Sequence, residues 1–342
     1  MQGGDVMRKF KTILSLFLII GLLFSISGCA KDVFTSYKQA EAKTNTVKTG
    51  KQKVSFTFAS EADMVKLRSI LQKGKTPDEG AMKIYETLNS FKDLKIEFTK
   101  QYDKSQDKYL SDGFVRFNIY NLKGSLYKDR DNYIIEKPQL PKYVHFTSQE
   151  FINGFFKQYG FQSQKLSFNN DIANVLMSII DEHITKDSIM SNGRKIMNTP
   201  NGDIKVKELK ITLEGEKLKA LKNELLHALR QNTLVSSELD SDKIADKKIK
   251  EMLINSIGQL QPLSMEYTLY IDANGYMAEK NISFKGELYY PEIDMNVSKI
   301  WDYNSLYWDL DKKQDIQPPK GMDIEGSIDI KTFLEQMNNI TL

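Results

Sequence analysis

Cysteine is almost missing from this chain. Cys29 is the only one in 342 residues, so no internal disulfide framework exists and cohesion must come from an apolar core. Histidine is nearly as scarce. His145, His183 and His227 lie far apart, and none belongs to a His-Glu-x-x-His pattern that sets two ligands and a base on one helix face. There is no Gly-x-Ser-x-Gly elbow, no Walker loop and no dinucleotide-binding glycine pattern. The carboxylates Asp240, Asp242 and Glu251, and those at Asp302, Asp309 and Asp311, lack the spacing of an EF-hand loop. We therefore expect no enzyme, no cofactor and no bound metal. Charge of one sign is lacking too. The whole chain carries +3, and residues 1–28 contribute +2 of it through Arg8, Lys9, Lys11 and Asp5, leaving about +1. That balance gives no electrostatic case for nucleic acid.

One long apolar run is present. Thr12 to Ile26 follows the basic stretch Met7-Arg8-Lys9-Phe10-Lys11 and precedes Ser27-Gly28, the layout of an export signal with its small-residue cleavage site. Met7 is the better initiator, because it puts Arg8, Lys9 and Lys11 at the front. The run is shorter than the roughly 20 residues of a comfortable membrane span. Ile26-Ser27-Gly28-Cys29 resembles the lipobox of bacterial lipoproteins. The resemblance implies cleavage between Gly28 and Cys29, and a diacylglyceryl group with further acylation such as palmitate on Cys29. Location would then be the extracytoplasmic face of the cell membrane. An uncleaved anchor or plain secretion are the competing readings.

Beyond Cys29 the chain divides into a polar stretch and one large domain. Residues 29–50 read as a flexible tether, since only Val33, Phe34, Tyr37 and Val47 interrupt polar sequence and the segment buries too little to offset its ordering entropy. Residues 51–340 read as a single α+β domain, with a helical insertion at 148–190. Val54, Phe56 and Phe58 alternate with polar residues, as do Leu94, Ile96 and Phe98, which is the period of a strand with one buried face. Short strands are expected at 114–120, 124–128, 133–135 and 143–146, with connections too short for parallel crossovers. Ser60 reads as the N-cap of a helix bearing Met64, Leu67, Ile70 and Leu71. Thr147 or Ser148 with Glu150 opens a helix through Phe151, Phe155 and Phe156, and Asp171 to Ile184 forms another. A strand at 204–213 precedes a Leu-rich helix at 216–229, and a further amphipathic helix spans 242–257. Asp272-Ala273-Asn274-Gly275 joins two alternating strands as a hairpin, with Gly275 at positive φ. A strand follows at 293–300. The aromatic and proline-containing stretch 301–321 reads as an extended segment lying over a sheet.

Three local clusters have bland readings. Lys123, Lys128 and Arg130 lie near Tyr120, Tyr127 and Tyr133, but Asp129 and Asp131 interrupt the patch. Lys205, Lys207 and Lys210 read as the solvated face of one strand. His227 reads as a helix boundary residue.

The Tyr133-Ile134-Ile135 to Pro138 stretch, the strand–helix pair Glu208 to Arg230, the Leu263 to Leu288 hairpin, and Trp301-Asp302-Tyr303 with Pro318-Pro319 together resemble the LolA-like and LprG-like envelope lipoproteins. Clostridial spore-envelope relatives are among them. The resemblance implies a large curved antiparallel sheet, a half-barrel, with helices covering its concave face. It also implies a lipid or lipid-linked ligand in that concavity. Phe151, Phe155, Phe156, Ile172, Val175, Leu176, Ile179 and Ile180 are the candidate cavity lining, although ordinary core packing uses the same residue types. The alternative function is a non-enzymatic structural or protein-interaction factor in envelope or spore assembly, with an envelope protein as partner.

Overall fold

The computed structural model describes residues 32–62, 93–117, 120–136, 143–147, 178–231, 257–290, 293–318 and 327–330, with scattered positions at 65–85, 150, 251–255 and 332. The chain is an α+β protein built on one open, mostly antiparallel sheet of twelve strands. Six strands come first: β1 (Thr49–Glu61), β2 (Asp93–Asp103), β3 (Lys108–Phe117), β4 (Tyr120–Asp129), β5 (Asn132–Glu136) and β6 (Val144–Thr147). A second run follows: β7 (Ile189–Thr199), β8 (Gly202–Glu214), β9 (Leu260–Asp272), β10 (Met277–Tyr290) and β11 (Met295–Trp308). The short β12 (Ile328–Asp329) pairs parallel with β6 at one edge. Each run is antiparallel to its neighbours, and pairing of β1 with β11 welds them together, leaving β7 as the far edge.

Local chemistry sets the turns. Gly275 has φ +81° and its amide donates to the Asp272 carbonyl at 3.0 Å, the conformation a side chain would strain. Gly113 is required for another reason. A Cβ there would sit 2.3 Å from the Glu97 carbonyl oxygen, so β2 and β3 close up only around glycine.

Alternation assigns the faces. On the inner face, Leu209, Ile211 and Leu213 of β8 meet Leu269, Tyr267 and Met265 of β9 in register. All six are buried in the main core. Helix α1 (Val33–Asn45) and helix α2 (Gly215–Arg230) cover this half of the sheet, contributing Tyr37, Ala40, Leu218 and Leu221 to the same cluster. On the outer face Val206, Tyr270, Ala278 and Met197 form a smaller cluster.

Three expectations are corrected here. Residues 29–50 are not all tether: α1 is docked, with Tyr37, Ala40 and Val47 each 1% exposed. The spacing 37, 40, 44, 47 puts one stripe on the core, and its two small residues, Ala40 and Thr44, hide the apolar pattern. Thr44 accepts a hydrogen bond from the Met277 amide at 2.8 Å, and Lys43 donates to the Asn274 carbonyl at 2.6 Å, clamping α1 to the β9–β10 hairpin. Ser60 is not a helix N-cap but a residue of β1. The stretch 301–308 does not lie over the sheet; it is the second half of β11, paired to β1 and β10 on both sides.

β2, β5, β6, β8, α2 and the β9–β10 hairpin fall close to their expected places, whereas the strand expected at 114–120 is split between β3 and β4, strand β7 occupies the end of the expected helical insertion, and most of the helix expected at 242–257 lies outside the described residues. Positions 65–67 and 69 are helical, with Leu67 fully buried. Thr147 and Glu150 make the reciprocal hydrogen bonds of a capping box, at 2.7 and 3.2 Å, as expected for a helix start. The helix expected to end at Ile184 is described from residue 178 to 183.

Candidate functional site

Three elements meet at the open end of the main core: α1, the helical residues 178–183 and β10. Between them lies a cleft of about 1080 Å³, lined by Phe34, Lys38, Glu41, Asp181, Thr185 and Lys280 among others. Its floor is a polar cluster in which Tyr37 and Lys280 are buried and Lys38, Glu41 and Asp181 half-buried. The Tyr37 hydroxyl donates to Asp181 Oδ1 at 2.7 Å, and Lys38 Nζ lies 3.5 Å from Asp181 Oδ2. Burial, with the charge of Asp181 and a hydrogen bond to it, pushes the Glu41 carboxyl above the ordinary range, against the pull of Lys280 and Lys38. Lys280 is only 9% exposed, its ammonium stands 5.6 Å from the Tyr267 ring centre, and burial lowers its pKa. Burial also raises Tyr37 and Tyr267, assisted in both by the two carboxylates. Among the described residues the buried Tyr267 hydroxyl has no hydrogen-bond partner. This arrangement gathers two carboxyl groups and two amines at the mouth of an apolar interior.

From the cleft the inner face continues across the sheet, away from the two labelled helices. Ile282 and Phe284 of β10 face Tyr303 and Trp301 of β11, which face Phe56 and Phe58 of β1, then Ile96 and Leu94 of β2. The rings are in contact: Phe284 to Trp301 is 5.1 Å between centroids and Trp301 to Phe58 is 5.5 Å. All these side chains are half-buried. Further lysines interrupt this face. Lys299 donates to Ser60 Oγ at 2.9 Å, and Lys100 stands 4.4 Å from the Tyr109 ring centre.

The outer face opposite is polar. Ser55, Thr57, Asn281, Asp302 and Asn304 line a small depression of about 270 Å³. Asn304 donates to Glu279 and to Asn281, so its groups satisfy one another.

Of the candidate cavity residues, Ile179 is buried in the main core and Ile180 packs against it. Phe151, Phe155, Phe156, Ile172, Val175 and Leu176 lie outside the described residues, as do Gly28, Cys29 and the run Thr12 to Ile26. Among the described residues no helix is long and apolar enough to cross a membrane, and no group of three or more His, Asp or Glu gathers as for a metal. His183 pairs with Glu224 of α2 at 2.7 Å, His227 is exposed, and buried His145 Nε2 has no hydrogen-bond partner among the described residues. Asp309, in a turn at φ 52°, is held by Lys312, Asn201 and Lys51, which lower its pKa to about 2; it is a structural brace. The Lys/Tyr patch is split by strand alternation. Lys128 lies over Tyr109 and Tyr133, whereas Tyr127 is buried with Ile134 and Ile316 on the other side. Lys210 likewise points away from Lys205 and Lys207, pairing with Glu266 at 2.9 Å, so the three do not share one face.

Sequence reasoning missed the whole polar cluster. Tyr37, Lys38 and Glu41 lay in the supposed tether, and Lys280 was one polar residue on an alternating strand. The usable signal was Lys280 itself, since it occupies an inward position between Leu269 and Ser305.

No protein-family model and no curated protein matches the chain. A solved structure of a beta-barrel-like protein of domain of unknown function DUF1849 from Brucella abortus is similar over 79% of this chain and all of that one. Its identity is 7% and its TM-score 0.18, too low to carry any argument. The class defined here is therefore an α+β protein with a twelve-stranded open sheet and helices on its inner face.

Proposed function

We propose that this chain is a membrane-anchored extracytoplasmic lipoprotein, of the LolA-like and LprG-like kind, that holds a lipid or lipid-linked molecule against the inner face of its sheet. One observation carries the reading: the Phe56, Phe58, Phe284, Trp301 and Tyr303 stretch is half-exposed and runs into the cleft at Lys38 and Lys280. An apolar surface with a few polar groups at its mouth suits an amphiphile, and removing acyl chains from water supplies the driving force. Native mass spectrometry of protein made in membranes, followed by lipid extraction, tests it. A stoichiometric adduct is the expected result; an empty protein that exchanges no lipid under several conditions would overturn it.

A second reading, an assembly factor for envelope proteins, draws on β7. This edge strand exposes Met190 at 56% and Ile196 at 67%, and an unpaired edge accepts another strand. Crosslinking in intact cells should then recover one reproducible protein neighbour through β7.

A further inference from the structure

Lys299 is the most secluded lysine of the inner face. It is 5% exposed and faces Ser60 of β1 and Gly286 of β10 across the two ladders. Its ammonium lies 5.7 Å from the Phe58 ring centre and 5.5 Å from that of Tyr290. One donor is satisfied by Ser60 Oγ. Among the described residues no carboxylate approaches it within ion-pair distance, whereas Lys280 has Glu41 and Asp181 beside it. An ammonium has three donors, and a buried cation without a counter-charge is costly. Beyond Lys299 along β11, Val297 and Met295 pack under Leu67, so the aromatic stretch is closed at this end. In the other direction the inner face runs past Trp301 and Tyr303 to Ser305, the partner of Lys280. Six residues of strand span about 20 Å, the length of a long acyl chain.

Resting on the ligand reading above, we infer that the ligand is a single-headed anionic amphiphile, a carboxylate or a phosphate monoester. Its head pairs with Lys299 and its chain lies over Phe58, Trp301 and Phe284 towards the Lys280 cleft. Charge complementarity decides the direction. At the Lys280 end the amines of Lys38 and Lys280 already have Asp181 and Glu41 as counter-charges; the Lys299 end holds only a hydroxyl and two ring faces.

The test uses the full chain held in phosphatidylcholine nanodiscs and reads quenching of Trp301 fluorescence by brominated probes of equal chain length: a fatty acid, an alkyl phosphate and a fatty alcohol. Trp308 falls on the opposite face, so Trp301→Phe gives the background. At least one anionic probe should quench at about tenfold lower concentration than the alcohol, the scale of one charge-assisted hydrogen bond. Which anion does so identifies the head. Lys299→Met should abolish that preference yet still bind the alcohol, and Lys280→Met should keep it. Equal quenching by acid, phosphate and alcohol in the wild type overturns the role of Lys299 while leaving the ligand reading intact, whether or not the Lys299→Met variant folds. A preference that survives in Lys299→Met also overturns it. No Trp301 quenching by any probe overturns both.

Discussion

At the residue scale the informative groups are the ionisable ones on the inner face, because their titration reports the burial directly. Glu41 has a raised pKa in the fold, chiefly from burial and then from Asp181. A raised acid favours the protonated form, so its stabilising share is complete below the unfolded value of 4.5 and is lost as pH rises through the folded value. Glu41→Gln should therefore be more stable than wild type at pH 7–8, by about 1 kcal/mol after allowance for the nearby solvent. The advantage should vanish towards pH 4, which urea titrations at several pH values measure. Lys299 has the opposite sign. Burial lowers its pKa to about 8 from 10.5, so stability is gained as pH rises from about 8 towards 10.5 and is lost as it falls through 8. Lys299→Met should raise stability at pH 7 by about 1–2 kcal/mol and flatten that alkaline rise. A variant less stable at pH 7 would mean that the ammonium has a counter-charge.

At the element scale α1 is the decisive case, because a tether and a docked helix predict different chemistry. Tyr37 is 1% exposed and hydrogen-bonded to Asp181. Tyr37→Ala should cost about 3–4 kcal/mol, the scale of a large aromatic deleted from a core, and should open the cleft by loosening α1. Amide exchange of residues 33–45 would show it; rapid exchange in the wild type would contradict the docking. The elements that were legible in sequence share a property. The β9–β10 hairpin, β8, β2 and β5 each carry their own period-2 pattern, so the information is local; the β3–β4 connection lacks a glycine or proline turn signal and was therefore expected a few residues too late. β1 and β11 meet across some 250 residues, as in Thr57 beside Asp302, and nothing local marks such a partner. The aromatic and polar mixture of 301–308 therefore suggested a surface strip, although Trp301, Tyr303 and Tyr307 alternate as a strand should. α1 was hidden for a compositional reason: its buried stripe includes Ala40 and Thr44, which are small enough to pack yet do not register as hydrophobic. The polar cluster of the cleft was hidden for a different reason: Tyr37, Lys38, Glu41, Asp181 and Lys280 come from three separate elements.

At the scale of the whole molecule, the proposed anchor can be tested apart from the folded domain. Among the described residues the core begins at α1. If Cys29 carries a diacylglyceryl group, two chains hold the protein at the bilayer, where a single chain would let it leave. The short distance from Cys29 to Val33 then places α1, and with it the mouth of the cleft, close to the membrane surface. A ligand would pass between bilayer and inner face over a few residues of chain rather than through free solution. Replacing Cys29 with Ser should leave thermal unfolding of the domain unchanged within about 0.5 kcal/mol, as for a site outside the packed core. It should release the protein or leave its precursor uncleaved. Radiolabelled fatty acid should enter the wild type and not the variant; equal labelling of both would sink the anchor while leaving the inner-face ligand to be judged by its own experiments.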